Sequence, residues 1–170
     1  MFAPLKKNAL LLALLCVLAA GTAIAFTGRL VQQAARPAVR VALSGTVERN
    51  RNGVAVEQAA PVRPGETIRW TVTSINQGGG AARDYKAVAH VPTGTAFVAG
   101  SAAAEGAAVR YSIDGGNTFS PQPTLEQRQA DGTLKRVPAP PTMYTHLRYD
   151  WGSPLGPGEQ VNAYYQVRVK

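Results

Sequence analysis

The chain is predicted to fold as an all-β, immunoglobulin-like sandwich of about seven to eight strands. Two observations carry that expectation. The triplet Pro-Gly-Glu occurs at Pro64-Gly65-Glu66 and again at Pro157-Gly158-Glu159, and each copy opens a run of alternating apolar and polar residues. Proline presets a turn, glycine accepts positive φ, and period-two alternation sends successive side chains to opposite sheet faces. The second observation is spacing: similar runs recur with turn signals between them, and the mature region shows no amphipathic helical pattern. The Cys-Trp-Cys signature of antibody domains is absent, so the likeness is architectural. A jelly roll or a small barrel fits the same pattern and is the alternative.

The first segment is a leader. Lys6 and Lys7 precede an apolar stretch from Ala9 to Phe26 that ends in Ala23-Ile24-Ala25. A basic start, an apolar core and a small-x-small site describe a secretory signal peptide cleaved after Ala25. An uncleaved anchor is the competing reading, because the stretch approaches the length a bilayer needs; residues 9–26 would then be the only contact with the membrane. Both readings require export, to the periplasm, the cell surface or the medium. The single cysteine, Cys16, lies in the apolar core after Leu15, a poor context for lipid attachment. Cleavage leaves a chain with no cysteine, held together by its core rather than by disulfides.

Residues 26–38 read as a linker or exchange segment, with Thr27 to Arg36 able to form a turn or two of helix closed by Pro37. The sandwich domain is expected over 39–170. Val39, Val41, Leu43 and Val47 share one face of the first strand, followed by a turn at Asn50-Arg51-Asn52-Gly53 and a brief strand at Val54–Val56. After the first Pro-Gly-Glu, Ile68, Trp70, Val72 and Ser74 point one way, and Trp70 is the expected anchor of the core between the sheets. Gly78-Gly79-Gly80 demands a loop, since three glycines lose too much backbone entropy in a strand. Strands are expected from Asp84 to Val91 and, after Pro92-Thr93-Gly94, at Thr95–Val98. Ser101 to Ala108 is Ala-rich and open to helix or loop. Val109, Tyr111 and Ile113 form an inward row, and Asp114-Gly115-Gly116-Asn117 turns the chain so that Thr118-Phe119 returns beside it. A Pro-rich excursion spans 120–142, with a small hairpin at Asp131-Gly132; Met143–Tyr149 and Val161–Val169 supply the last strands.

Removing the leader takes Lys6 and Lys7 from 18 basic residues, leaving 16 against 10 acidic ones. The remaining arginines are scattered, with no patch beside aromatic platforms, so nucleic acid is excluded as a partner.

The stretch from Val62 to Gly78, containing the Pro-Gly-Glu turn and Asn76-Gln77-Gly78, resembles a prokaryotic surface-repeat family when taken with Val91-Pro92-Thr93-Gly94-Thr95-Ala96-Phe97-Val98-Ala99-Gly100-Ser101. The family is the conserved domain of unknown function eleven. Leu155-Gly156-Pro157-Gly158-Glu159-Gln160 resembles its last hairpin, and the similarity runs over about Val39 to Lys170. The sequence departs from the family in carrying Ala89-His90 where an Asp is usual, and in its longer hairpin and excursion. The resemblance implies an immunoglobulin-like module of a secreted or cell-surface protein, without enzymatic activity.

Chemistry-bearing residues are few. His90 shares a strand face with Asp84, Lys86 and Val88, and His146 with Tyr144, Arg148 and Asp150. Residues four apart in a strand lie about 13 Å apart, too far for His146 to share a proton with Asp150. Both histidines are expected as half-exposed residues without a chemical partner. Two histidines and no cysteine argue against zinc. The turn at Asp114 is similar to a calcium loop only in composition, because the twelfth position is Leu125. No catalytic, cofactor-binding or metal residue is therefore assigned, and no cofactor. The expected role is a structural or adhesive envelope protein, self-associating or bound to another envelope protein. The alternatives are a periplasmic accessory or assembly factor and a glycan-binding module, the last requiring an aromatic groove around Trp151, Tyr149 and Tyr144.

Overall fold

The computed structural model describes residues 36–49, 52–59 and 61–170. The expected leader and cleavage site, and residues 26–35 of the expected linker, lie outside the described residues.

The chain forms β1 (Val39–Arg49), β2 (Asn52–Ala55), β3 (Thr67–Asn76), β4 (Lys86–His90), β5 (Thr95–Phe97), β6 (Ala103–Ala104), β7 (Ala107–Ser112), β8 (Thr124–Arg128), β9 (Leu134–Pro138), β10 (His146–Trp151) and β11 (Gln160–Val169). Every pairing is antiparallel. One sheet has the order β2-β1-β3-β11-β5, with β6 also on β11; the other is β4-β10-β7; among the described residues β8 and β9 pair only with each other. The all-β sandwich predicted from the sequence is present, with more strands than the expected seven or eight.

Alternation accounts for the core. In β3, Ile68, Val72, Ser74 and Asn76 are buried while the residues between them are not. Val47, Ile68, Val72, Ala163, Tyr165 and Val167 meet Ala87, Ala89, Val91, Leu147, Tyr149 and Trp151 across the sandwich. Fully burying one such aliphatic side chain contributes roughly 1.5–3 kcal/mol. Two tyrosines then bridge the sheets reciprocally. Tyr165 of β11 donates its hydroxyl to the His90 carbonyl of β4, 2.7 Å away, and Tyr149 of β10 donates to the Tyr164 carbonyl of β11 at 2.8 Å. Burial pushes the Tyr165 phenol up to about 12 and raises that of Tyr149 further.

The repeated triplet has one local geometry in both places. Glu66 N–H donates to Arg63 O at 3.1 Å and Gly65 has φ 87°; Glu159 N–H donates to Gly156 O at 3.1 Å and Gly158 has φ 76°. Each glutamate carboxylate then accepts the N–H of the first turn residue, Arg63 at 2.7 Å and Gly156 at 2.6 Å. Proline, a positive-φ glycine and a carboxylate thus each occupy the position their chemistry suits. The Arg49 guanidinium, 2.6 Å from Glu66, and the Arg63 N–H hold the Glu66 carboxyl at about 2.

Asn76 is fully buried and joins four segments. Its Oδ1 accepts from the N–H groups of Ala38 and Gly78, each at 3.0 Å, and its Nδ2 donates to Gly80 O at 2.7 Å and Leu155 O at 2.9 Å. Gly78 must lack a side chain, since a Cβ there would lie 2.3 Å from Arg36 O.

Several expectations are corrected. Trp70 lies on the inward face but is only half-buried, stacked over Gly45, whose missing side chain makes room for its ring, and its buried indole N–H meets no acceptor. The deep anchors are Tyr149, Tyr165 and Leu147 instead. The last residues of the expected linker are bonded to the domain: Gly80 N–H donates to Arg36 O and Gln77 N–H to Ala38 O. β4 starts at Lys86 because Asp84 adopts a left-handed φ of 51°. Ser101–Ala108 is neither helix nor plain loop but carries β6 and the start of β7. Thr118-Phe119 forms no strand; a single bridge joins Tyr111 to Ser120. Pro141–Met143 makes a one-turn helical segment, so the next strand starts at His146 and reaches Trp151.

Asn76→Ala is expected to cost about 3 kcal/mol or more, because buried groups on several segments lose their partners. Leu147→Ala should cost about 2–5 kcal/mol by cavity formation. Trp70→Phe should cost less than either; urea melts of the three variants rank them.

Candidate functional site

The outer edge of β1 is the most exposed apolar feature of the larger sheet. β2 pairs only with Thr46–Arg49, so among the described residues Val39–Gly45 has a strand partner on the β3 side alone. Val47 is fully buried, yet Val41 and Leu43, on the same face, are 54% and 56% exposed. The smaller sheet does not reach over them. The hydrogen bond from Gln77 N–H to Ala38 O, 2.9 Å, sets the phase of the ladder. Antiparallel pairing alternates bonded and unbonded residues, so even-numbered residues of β1 face β3. Val39, Val41 and Leu43 therefore turn their N–H and C=O groups toward the open edge.

The smaller sheet carries polar side chains on its outer face. Asp150 lies 2.9 Å from Arg110 and 2.7 Å from Arg148, and Arg148 also sits over the Phe119 ring at 4.7 Å. Burial raises the Asp150 carboxyl, but the two arginines outweigh it and the group ends below its ordinary value. His146 and Asp150 stay apart, as strand geometry requires. His146 instead faces His90 directly across the β10–β4 ladder, ring centres 5.0 Å apart. The two rings thus touch, a contact that depends on sheet register, which a single strand's alternation does not disclose.

The Asp114 turn consumes its own oxygens. Ser112 Oγ donates to Oδ1 at 2.6 Å, Thr118 Oγ1 to Oδ2 at 2.6 Å, and Thr118 N–H to both. These donors hold the Asp114 carboxyl well below the usual carboxylate range. The carboxylate closes the turn rather than offering itself to calcium, and among the described residues no three His, Cys, Asp or Glu side chains cluster.

No aromatic groove forms at Trp151, Tyr149 and Tyr144. Tyr149 and Trp151 are core residues, and Trp151 stacks on Tyr85 and donates to Glu105 O. Tyr144 packs with Phe97 and Tyr111 in a cluster of three mutually contacting rings. An open cleft of about 330 Å³ is lined by Glu105, Gln160, Val161, Asn162 and Tyr164. Within the excursion, Pro123 and Ala139 are buried at the base of the β8–β9 hairpin, while its strands are largely exposed. Among the described residues no helix is long and apolar enough to cross a membrane.

Glu66 and Asp114 both have depressed folded-state values, so their contribution is full above the ordinary carboxylate range and is lost as pH falls through the folded values. Stability should decline below about pH 4. Urea midpoints measured from pH 7 to pH 2 should show a shallower decline for Glu66→Gln and for Asp114→Asn than for the wild type. Compared with protein-family models, curated proteins and solved structures, the chain matches none.

Proposed function

We propose that the chain is a non-enzymatic structural module of the cell envelope that acts by joining its β1 edge to that of a second copy. The carrying observation is the run Val39–Gly45, which among the described residues has a strand partner on one side only, with Val41 and Leu43 exposed on the inward face. A two-fold antiparallel pairing centred on Ala42 uses the whole run. It sets Val41 opposite Leu43 of the other copy in both directions, and Arg40 opposite the neutral Ser44. The outward-facing residues of each copy then meet as hydrogen-bonded pairs, and the apolar side chains cover one another. An exposed apolar edge is otherwise a liability that proteins blunt with charge or proline. The leader supports export, and the resemblance to domain of unknown function eleven supports an envelope setting.

Residues 36–38 are bonded to their own domain, so an exchange segment can include only residues 26–35. Sedimentation of the exported protein should show a dimer or higher assembly. Val41→Lys with Leu43→Lys should give a monomer with an unchanged thermal melt, since both side chains are exposed. A wild-type monomer at envelope-like concentration overturns the reading and favours the accessory-factor role. Dispersal by deletion of residues 27–35, with the lysine variant still assembled, assigns the contact to the N-terminal segment instead.

A further inference from the structure

We propose that His90 and His146 form a two-imidazole chelate for a divalent transition-metal ion on the outer face of the smaller sheet. The two residues are register partners in an antiparallel pair, where facing Cβ atoms lie about 4.5–5.5 Å apart. Their ring centres are 5.0 Å apart and the rings are inclined at 63°. A metal about 2.0–2.1 Å from a ring nitrogen sits about 3.2 Å from that ring's centre. An angle of about 90–110° at the metal then places two ring centres about 4.5–5.2 Å apart, so the observed spacing already matches a chelate.

Thr145 Oγ1 stands 3.2 Å from His146 Nδ1, 3.2 Å from Ser112 O and accepts the Gly115 N–H at 3.2 Å. In the tautomer in which Nδ1 donates to that hydroxyl, Nε2 carries the free lone pair, the arrangement by which an outer-shell hydrogen bond orients a metal-binding imidazole. Gly116 backs the ring: a Cβ there would lie 3.4 Å from its Cγ. Of the cations near the pair, Arg148 is matched by Asp150, while Lys86 lies four residues along β4 from His90.

Imidazole nitrogens suit copper, nickel and zinc, and the affinity order places Cu²⁺ first. Two protein ligands leave the remaining positions to water or to a donor from another molecule. His90 is exposed and His146 half-buried, so the site is open from solvent.

The test is calorimetric titration of the untagged full chain with Cu²⁺ and with Zn²⁺ at neutral pH, with electron paramagnetic resonance of the copper complex. One saturable Cu²⁺ site with two nitrogen ligands is expected, with Zn²⁺ bound more weakly. His90→Gln and His146→Gln should each weaken binding by about tenfold or more, since even an outer-shell partner is worth 10–100-fold. Thr145→Val should weaken it while leaving the thermal melt of the metal-free protein close to wild type. Absence of a saturable site, or wild-type affinity in the folded double glutamine variant, overturns the proposal.

Discussion

The side chain of Asn76 is the constraint on which the sheet's register and the entry of the chain into β1 both depend. One buried amide uses both oxygen lone pairs and both N–H groups, binding the lead-in at Ala38, the loop at Gly78 and Gly80, and the strand connection at Leu155. Its backbone adds bonds to Glu159 and Gly158 in the second Pro-Gly-Glu turn. No apolar residue could replace it without orphaning buried groups on several segments at once. The end of β3, the beginning of β1 and the approach to β11 are therefore positioned by a single residue, and the first and last strands of the larger sheet take their places on either side of β3.

At the opposite end the first Pro-Gly-Glu turn does corresponding work. Gly65 N–H bonds to Val169 O, and Val169 N–H to Glu66 O, fixing the end of β11. Between these two ties the reciprocal tyrosines hold the sheets face to face. Each phenol satisfies a carbonyl of the opposite sheet, so the large aromatic surfaces are buried without leaving a polar atom unpaired. Trp70, with an orphaned N–H at the rim, lacks that combination.

What could be read from the sequence follows from what is local. Turn chemistry at Pro64-Gly65-Glu66, Pro92-Thr93-Gly94 and Pro157-Gly158-Glu159 and the alternation of β3 and β11 are encoded by neighbours in the chain. The strands they bound lie close to where they were expected. Pairing is not local. Nothing in the runs around His90 and His146 announces that β4 and β10 are adjacent, so the histidine pair was invisible. Trp70 was overvalued for a related reason: face can be inferred from periodicity, but depth depends on which strands lie opposite. Val41 and Leu43 show the same limit from the other side. Their spacing marks them as inward-facing, and only the narrower second sheet explains why they are exposed.

The placement of the ends of the larger sheet has a mechanical consequence. β1 and β11 both run antiparallel to β3, so the chain joins the sheet at Val39 beside Asn76 and leaves it at Val169 near Thr67, the opposite end. Tension applied between the two ends acts along the strands and loads the β1–β3 and β3–β11 ladders in shear. Many backbone hydrogen bonds must then yield together, whereas a force across a hairpin would break them one at a time. Whatever the N-terminal segment is tethered to, a pull on this domain meets its most resistant direction first.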